Sequence, residues 1–222
     1  MKPKILVSVP NTGWIHRNVA FSLLRIMGDQ RVSTNIIMPV NIPYENNLNK
    51  ITRQFLKEEY DFWLNIDSDN PPKNNPIDLV FLNLDLVGLP TPVWANMKEG
   101  DYPIYWNGLD EKQSVCTCKK TICECADVGW SPHKNMRGLQ EVDAIGTGCF
   151  IVSRRVMLSI KKPFVREVDE DGCVTRGHDY LFCKRVKEGG FRIFCHYDYP
   201  CQHFHELEIG EIAGSMMMVK NG

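Results

Sequence analysis

The chain has 222 residues, 43% hydrophobic and 24% charged, enough to bury one core, and a single domain over 1–222 is the expectation. Its 26 basic and 27 acidic side chains leave a formal net charge of -1, which gives no electrostatic footprint for nucleic acid. No apolar run is long enough to cross a bilayer and residues 5–9 are too few for a signal peptide, so a cytoplasmic protein is expected, in which nine cysteines do not form a disulfide framework.

Residues 4–10 carry Ile5, Leu6, Val7 and Val9 without polar alternation, the pattern of a strand buried on both faces. A turn at Pro10-Asn11-Thr12-Gly13 closes it. Residues 17–27 place Ala20, Leu23, Leu24 and Met27 at helical spacing, with Gly28 positioned to stop the helix. A strand over 35–40, a helix carrying Leu48, Ile51, Phe55 and Leu56, and a strand over 62–66 follow. This alternation predicts a parallel sheet flanked by helices.

Asn75, Pro76 and Asp78 supply a cap, a first-turn proline and an acidic residue for a helix carrying Ile77, Val80, Phe81 and Leu84. Short strand pieces over 91–95 and 102–106 come next. Residues 109–138 lack periodicity and read as a Cys-rich loop or inserted hairpin. Regular structure resumes over 142–153, then a helix over 154–160, on which Arg154, Arg155, Lys161 and Lys162 read as a solvated face. A turn at 169–172, a helix over 177–188 with Tyr180, Leu181, Cys183 and Val186 inward, and a strand over 191–195 complete the pattern.

Asp67 and Asp69 stand at the carboxyl end of the third predicted strand, the end at which open parallel sheets bind ligands. Two carboxylates so spaced can converge on one hard divalent cation, which in turn can bridge diphosphate oxygens. They can equally cap the turn before Pro71 and Pro72.

Val9-Pro10-Asn11-Thr12, Tyr44-Glu45-Asn46-Asn47, Asp67-Ser68-Asp69, Gly146-Thr147-Gly148-Cys149, Gly177-His178-Asp179 and His203 occur in an order that resembles the GT-A glycosyltransferases, especially small family 2-like enzymes. The resemblance spans nearly the whole chain and rests on order and spacing rather than on any one motif. It implies an α/β GT-A fold with a single, mostly parallel central sheet. It also implies a metal-dependent enzyme that moves a sugar from a nucleotide-sugar donor, such as a UDP-sugar, to an acceptor hydroxyl with inversion.

Carried over residue by residue, Val9, Pro10 and Thr12 would border the base, Asn46 or Asn47 would reach the ribose or diphosphate, and Asp67 and Ser68 would lie at the donor. Asp67, Asp69 and His203 would hold Mn2+ or Mg2+. Gly146, Thr147 and Gly148 would border the reacting sugar, the glycines allowing close approach of ligand to backbone. Asp179 would be the general base. His178 stands where the family commonly has Glu, which leaves the role of that position open.

Cys116, Cys118, Cys123 and Cys125 form a cluster that the family does not require and that matches the four-thiolate demand of structural Zn2+. Trp94, Trp106, Trp130, Tyr102 and Tyr105 are candidates for sugar or base stacking. His205 reads as a surface residue. A haloacid dehalogenase-like phosphatase would place its Asp-x-Asp after the first strand, and a nucleotidyltransferase would carry a Gly-rich, Lys-containing signature that 9–17 lacks. A nucleotidyltransferase of the same fold and a non-catalytic, zinc-stapled interaction module on a degenerate transferase fold are the remaining alternatives. The acceptor is open between a glycan, a protein and a hydroxylated DNA base.

Overall fold

The computed structural model describes residues 2–40, 43–94, 104–113 and 128–204. Strand β1 (Lys4–Ser8), helix α1 (Arg17–Met27), β2 (Ser33–Ile37), α2 (Tyr44–Lys57) and β3 (Phe62–Ile66) reproduce the alternation read from the sequence. β1 lies between β2 and β3 and runs parallel to both. All five residues of β3 are buried, the polar Asn65 among them, as befits a strand between two others in the sheet.

After α3 (Ile77–Val80) come β4 (Leu86–Gly88), β5 (Pro92–Trp94), β6 (Ile104–Trp106), β7 (Gly108–Gln113) and β8 (Val128–Pro132). β5 pairs with β6 and β7 with β8, both antiparallel, so the segment between 109 and 138 is built on a hairpin. β9 (Leu139–Glu141), β10 (Ala144–Ile145), β11 (Cys149–Ser153) and α4 (Arg154–Ser159) follow. The chain then forms the β12 (Glu167–Val168) and β13 (Val174–Arg176) hairpin, α5 (His178–Glu188) and β14 (Ile193–His196).

The central sheet has seven strands in the order β2-β1-β3-β11-β4-β14-β9. β11 is antiparallel to β3 and β4, and β9 to β14, while the remaining strands share one direction. Side chains alternate across it into two cores. Leu6 and Trp63 join Phe55, Phe150, Phe164 and Phe182 on one face. Ile5, Val7, Leu64 and Ile66 join Leu23 and Ile26 of α1 on the other. Aromatic packing fills the first, with Trp63 edge-on to Phe150 at a centroid distance of 5.2 Å.

Four local readings change. The helix at 17–27 has the expected bounds, but it buries the stripe Val19, Ser22, Leu23 and Ile26 while Leu24 and Met27 are exposed, because its apolar face is wider than the stripe that meets the sheet. The helix begun at Asn75 is one turn long. Asn75 Oδ1 does accept the Ile77 N–H, but Asn83 at φ 51° turns the chain and Phe81 stays exposed. Residues 142–153 split into β10 and β11, which belong to different sheets.

Arg154 is not part of a solvated face. Its guanidinium donates to the carbonyls of Phe55 at 2.9 Å, Leu56 at 2.8 Å and Glu58 at 2.6 Å, satisfying the last carbonyls of α2. Among the described residues the five cysteines are free thiols, four of them buried, and no helix is long and apolar enough to cross a membrane.

Candidate active site

Three segments meet where β3 ends. The Asp67 N–H donates to the Gly148 carbonyl at 2.7 Å. Wholly buried Asn65 donates through Nδ2 to the Thr147 carbonyl at 2.9 Å and to Asp67 Oδ1 at 3.1 Å. Asn65 is itself fixed by Ser8 Oγ at 2.7 Å, which accepts from Trp63 Nε1 at 2.7 Å. On the other side the His16 N–H donates to the Ser68 carbonyl at 2.7 Å, and His16 Nδ1 caps α1 by accepting the Asn18 N–H. The His16 ring stacks on Phe204 at 3.7 Å, and the Phe204 N–H donates to the Asp69 carbonyl at 3.0 Å. The loops after β1 and β3, the 146–148 turn and the segment after β14 are thereby tied together.

Asp67 is partly buried, and loss of hydration pushes its carboxyl up to about 7, with repulsion from Asp69 adding to the rise. Hydrogen bonds from Tyr44 and Asn65, both to Oδ1, and the nearby His203 act the other way. His203 donates from Nδ1 to the Pro92 carbonyl at 2.7 Å and turns Nε2 toward Asp69 Oδ2, 3.6 Å away. Asp69 draws the imidazole above its ordinary value.

Among the described residues no group of three His, Cys, Asp or Glu side chains is gathered closely enough to hold a metal ion. The residues nevertheless fit a hard divalent cation in kind. Two carboxylates and an imidazole flank one strand end, and the imidazole has its second nitrogen anchored on a backbone carbonyl, as metal-binding histidines do.

A second chain of contacts runs from the start of α5. Thr147 Oγ1 is 3.0 Å from His178 Nε2, and His178 Nδ1 is 2.9 Å from Glu45 Oε1. Glu45 also pairs with Arg166; burial pushes its carboxyl up, but its own backbone N–H and the Arg166 guanidinium outweigh that and hold it below the usual glutamate value. With Nδ1 donating to Glu45, Nε2 is left to accept from the Thr147 hydroxyl. Asp179, next in sequence, caps its own helix: Oδ1 accepts the Tyr180 N–H at 2.9 Å. Tyr44, Glu45 and Arg166 were not singled out by sequence reasoning. The first two lie inside the quoted Tyr44-to-Asn47 segment, while nothing in the local pattern marks Arg166.

The other expected residues divide. Thr12 and Asn46 are exposed and Pro10 is buried. Val9 is wholly buried and belongs to the core. Asn47 is also wholly buried and donates to the Pro39 carbonyl at 2.9 Å, so it braces the segment after β2. Gly146 and Gly148 are crowded from within the protein. A Cβ on Gly146 would lie 1.5 Å from Asn107 Nδ2 and one on Gly148 2.2 Å from Asn70 Oδ1, so the close approach expected of a ligand is made by these asparagines.

Asn70 Nδ2 is buried without a partner, a donor directed at nothing among the described residues and next in sequence to Asp69. Trp130 stacks on Tyr180 at 4.9 Å, whereas Trp94, Tyr105 and Trp106 lie on β5 and β6. Cys116, Cys118, Cys123, Cys125, Tyr102 and His205 lie outside the described residues.

No protein-family model matches the sequence, and no curated protein matches it. Among solved structures the chain is similar to the A197 protein from STIV, with a TM-score of 0.57 and 15% identity over 93% of this chain and 87% of that one. It is also similar to GalNAc-T7, solved with UDP, GalNAc and Mn2+, with a TM-score of 0.55 and 10% identity over 93% of this chain and 44% of that one. At these identities the shared property is the fold. The protein is an α/β domain with the GT-A architecture, and its two central carboxylates lie at the carboxyl end of β3 in a seven-stranded, mostly parallel sheet.

Proposed function

We propose that the protein is a metal-dependent glycosyltransferase that moves a sugar from a nucleotide-sugar donor, a UDP-sugar foremost, to an acceptor hydroxyl. The observation that carries this reading is the pairing at the end of β3: Asp69 faces Nε2 of a carbonyl-anchored His203, and Asp67 is raised to about 7 beside them. Asp67, Asp69 and His203 would hold Mn2+ or Mg2+. The ion, when bound, supplies positive charge for the leaving diphosphate. Pro10, Thr12 and Asn46 border the place for the nucleotide, and the Asn70 amide supplies a donor for a ligand oxygen.

In the transfer itself the acceptor O–H gives its proton to the Asp179 carboxylate as the acceptor oxygen bonds to the anomeric carbon. The bond from that carbon to the diphosphate breaks with its electron pair leaving on the nucleoside diphosphate. Asp179 sits at the first turn of α5, and the Glu45–His178–Thr147 chain fixes that turn against the end of β3.

Thermal-shift measurements with UDP, GDP and CMP, with and without Mn2+, test the donor half. A metal-dependent stabilisation by one nucleotide, lost in Asp69→Asn, is the expected result. No such shift with any nucleotide overturns the reading. Mass spectrometry of products from mixed nucleotide sugars then identifies the donor, and a product carrying a new phosphodiester would indicate a nucleotidyltransferase instead.

A further inference from the structure

Along α5, from its amino end to its last turn, lies a cavity of about 740 Å³, within the range of small-ligand sites. The β7–β8 hairpin, β13 and α5 enclose it. Trp130 and Tyr180, stacked on one another, line it, as do Gly177 and Leu181. Gly177 and Tyr180 bracket His178 and Asp179 in sequence, and the Tyr180 N–H is bonded to the Asp179 carboxylate, so the cavity adjoins the turn that carries that carboxylate.

The charges in the wall balance. Arg176, Lys184 and Lys187 stand against Glu111, Asp143 and Glu188. Lys187 pairs with Asp143 and, at 3.7 Å, with Glu111. Lys184 lies 3.9 Å from Glu188, and Arg176 lies 3.6 Å from Glu167 outside the cavity. Each basic group thus has a carboxylate of its own. A polyphosphate or acidic ligand would have to displace these carboxylates, whereas a ligand of hydroxyl groups can bond to both signs at once. Flat aromatic surface with alternating donors and acceptors matches a pyranose, which has apolar C–H faces and a rim of hydroxyls.

We propose that this cavity binds the acceptor and that the acceptor is a neutral oligosaccharide. The assignment of the ligand as an acceptor rests on the sugar-transfer reading above; the binding itself does not. Calorimetric titration of the full chain is the test, using neutral tetrasaccharides of glucose, mannose and N-acetylglucosamine, a sialylated oligosaccharide, and a hydroxymethylated DNA oligonucleotide. At least one neutral tetrasaccharide should bind, and Trp130→Ala should weaken it about tenfold.

Thr175→Trp, at an exposed position lining the cavity, should block binding while leaving the nucleotide thermal shift of the wild type in place. Absence of neutral-glycan binding, preference for the sialylated or DNA ligand, or binding unchanged in both variants overturns the proposal. Glycan binding without any nucleotide shift would keep the cavity and remove the transferase reading; a nucleotide shift without glycan binding would do the reverse.

Discussion

The Tyr44 hydroxyl donates to Oδ1 of Asp67, so the first residue of α2 directly touches the carboxylate that ends β3. That bond favours the ionised form and is the largest influence opposing the burial of Asp67. Tyr44→Phe should therefore raise the Asp67 carboxyl further and weaken Mn2+-dependent nucleotide binding about tenfold near neutral pH, with the loss shrinking as pH rises. Titrations of nucleotide in the presence of Mn2+ at several pH values check this; an affinity loss that does not vary with pH would place the effect of Tyr44 in packing instead.

Stability without metal should depend on pH in a defined direction. Asp67 is raised from 3.8 to about 7, and His203 is raised above 6.5 by Asp69. Both groups bind protons more tightly in the folded state, so the stability they contribute is fully present below their unfolded values and is lost as pH rises through their folded ones. Urea midpoints in EDTA should fall between about pH 4 and about pH 7, and Asp67→Asn should flatten most of that slope. A wild-type midpoint that climbs through this window by the amount seen in the variant would contradict the assignment.

Glu45 keeps His178 in one tautomer and one orientation. Glu45→Gln should lower kcat about tenfold while nucleotide affinity changes little, because the relay bears on the turn that carries Asp179 rather than on the donor site. The split between kcat and nucleotide affinity is the readout; a parallel loss of both would make Glu45 a donor-site residue.

Arg154→Met should cost about 2 kcal/mol, since it strips the charged donor from the last carbonyls of α2. In a chain of this size that corresponds to a fall of roughly 4–8 °C in Tm. Arg155→Met, which breaks an exposed pair with Asp85, should cost less than about 1 kcal/mol. Differential scanning calorimetry of the two variants separates the cap from a plain surface charge.

Gly148→Ala should destabilise by about 1–3 kcal/mol, because the added methyl group meets Oδ1 of the buried Asn70 at 2.2 Å. Gly148→Ala combined with Asn70→Ala should recover much of that loss, whereas two independent defects would simply add. Chemical denaturation of the single and double variants decides between these outcomes.

The layered fold was legible because its first half alternates cleanly between two periods. The strand over 62–66 and the helix over 17–27 appear with those bounds. What the periodicity could not supply was orientation where the apolar face of a helix is wider than the stripe it buries, as at Leu24 and Met27, or helix length where a left-handed residue such as Asn83 intervenes. The direction of β11 was hidden for another reason: strand direction depends on where the preceding excursion returns, and residues 109–138 carry no period from which to read it.

Within the candidate site, order along the chain pointed to Asp67, Asp69 and Asp179, each at or close to the edge of a regular element, and to His203 in the segment after β14. It was silent on Tyr44, Glu45 and Arg166, whose importance arises from contacts spanning 23 to 121 residues. It also misread the two glycines at 146 and 148, whose neighbours are asparagines from other segments.

β11 enters the sheet at the end where β3 leaves it, with Cys149 opposite Ile66 and Phe150 opposite Asn65. Asp67 and Thr147 are therefore the two sides of one seam, and their separation is set by counting along a ladder. Displacing β11 by one residue would turn its side chains to opposite cores and move Thr147 off the Asn65 clamp in the same step. The protein thus cannot keep a misaligned 146–148 turn on an otherwise sound sheet: the register that fills its two cores also gauges the distance between the Asp-x-Asp loop and the turn that faces it.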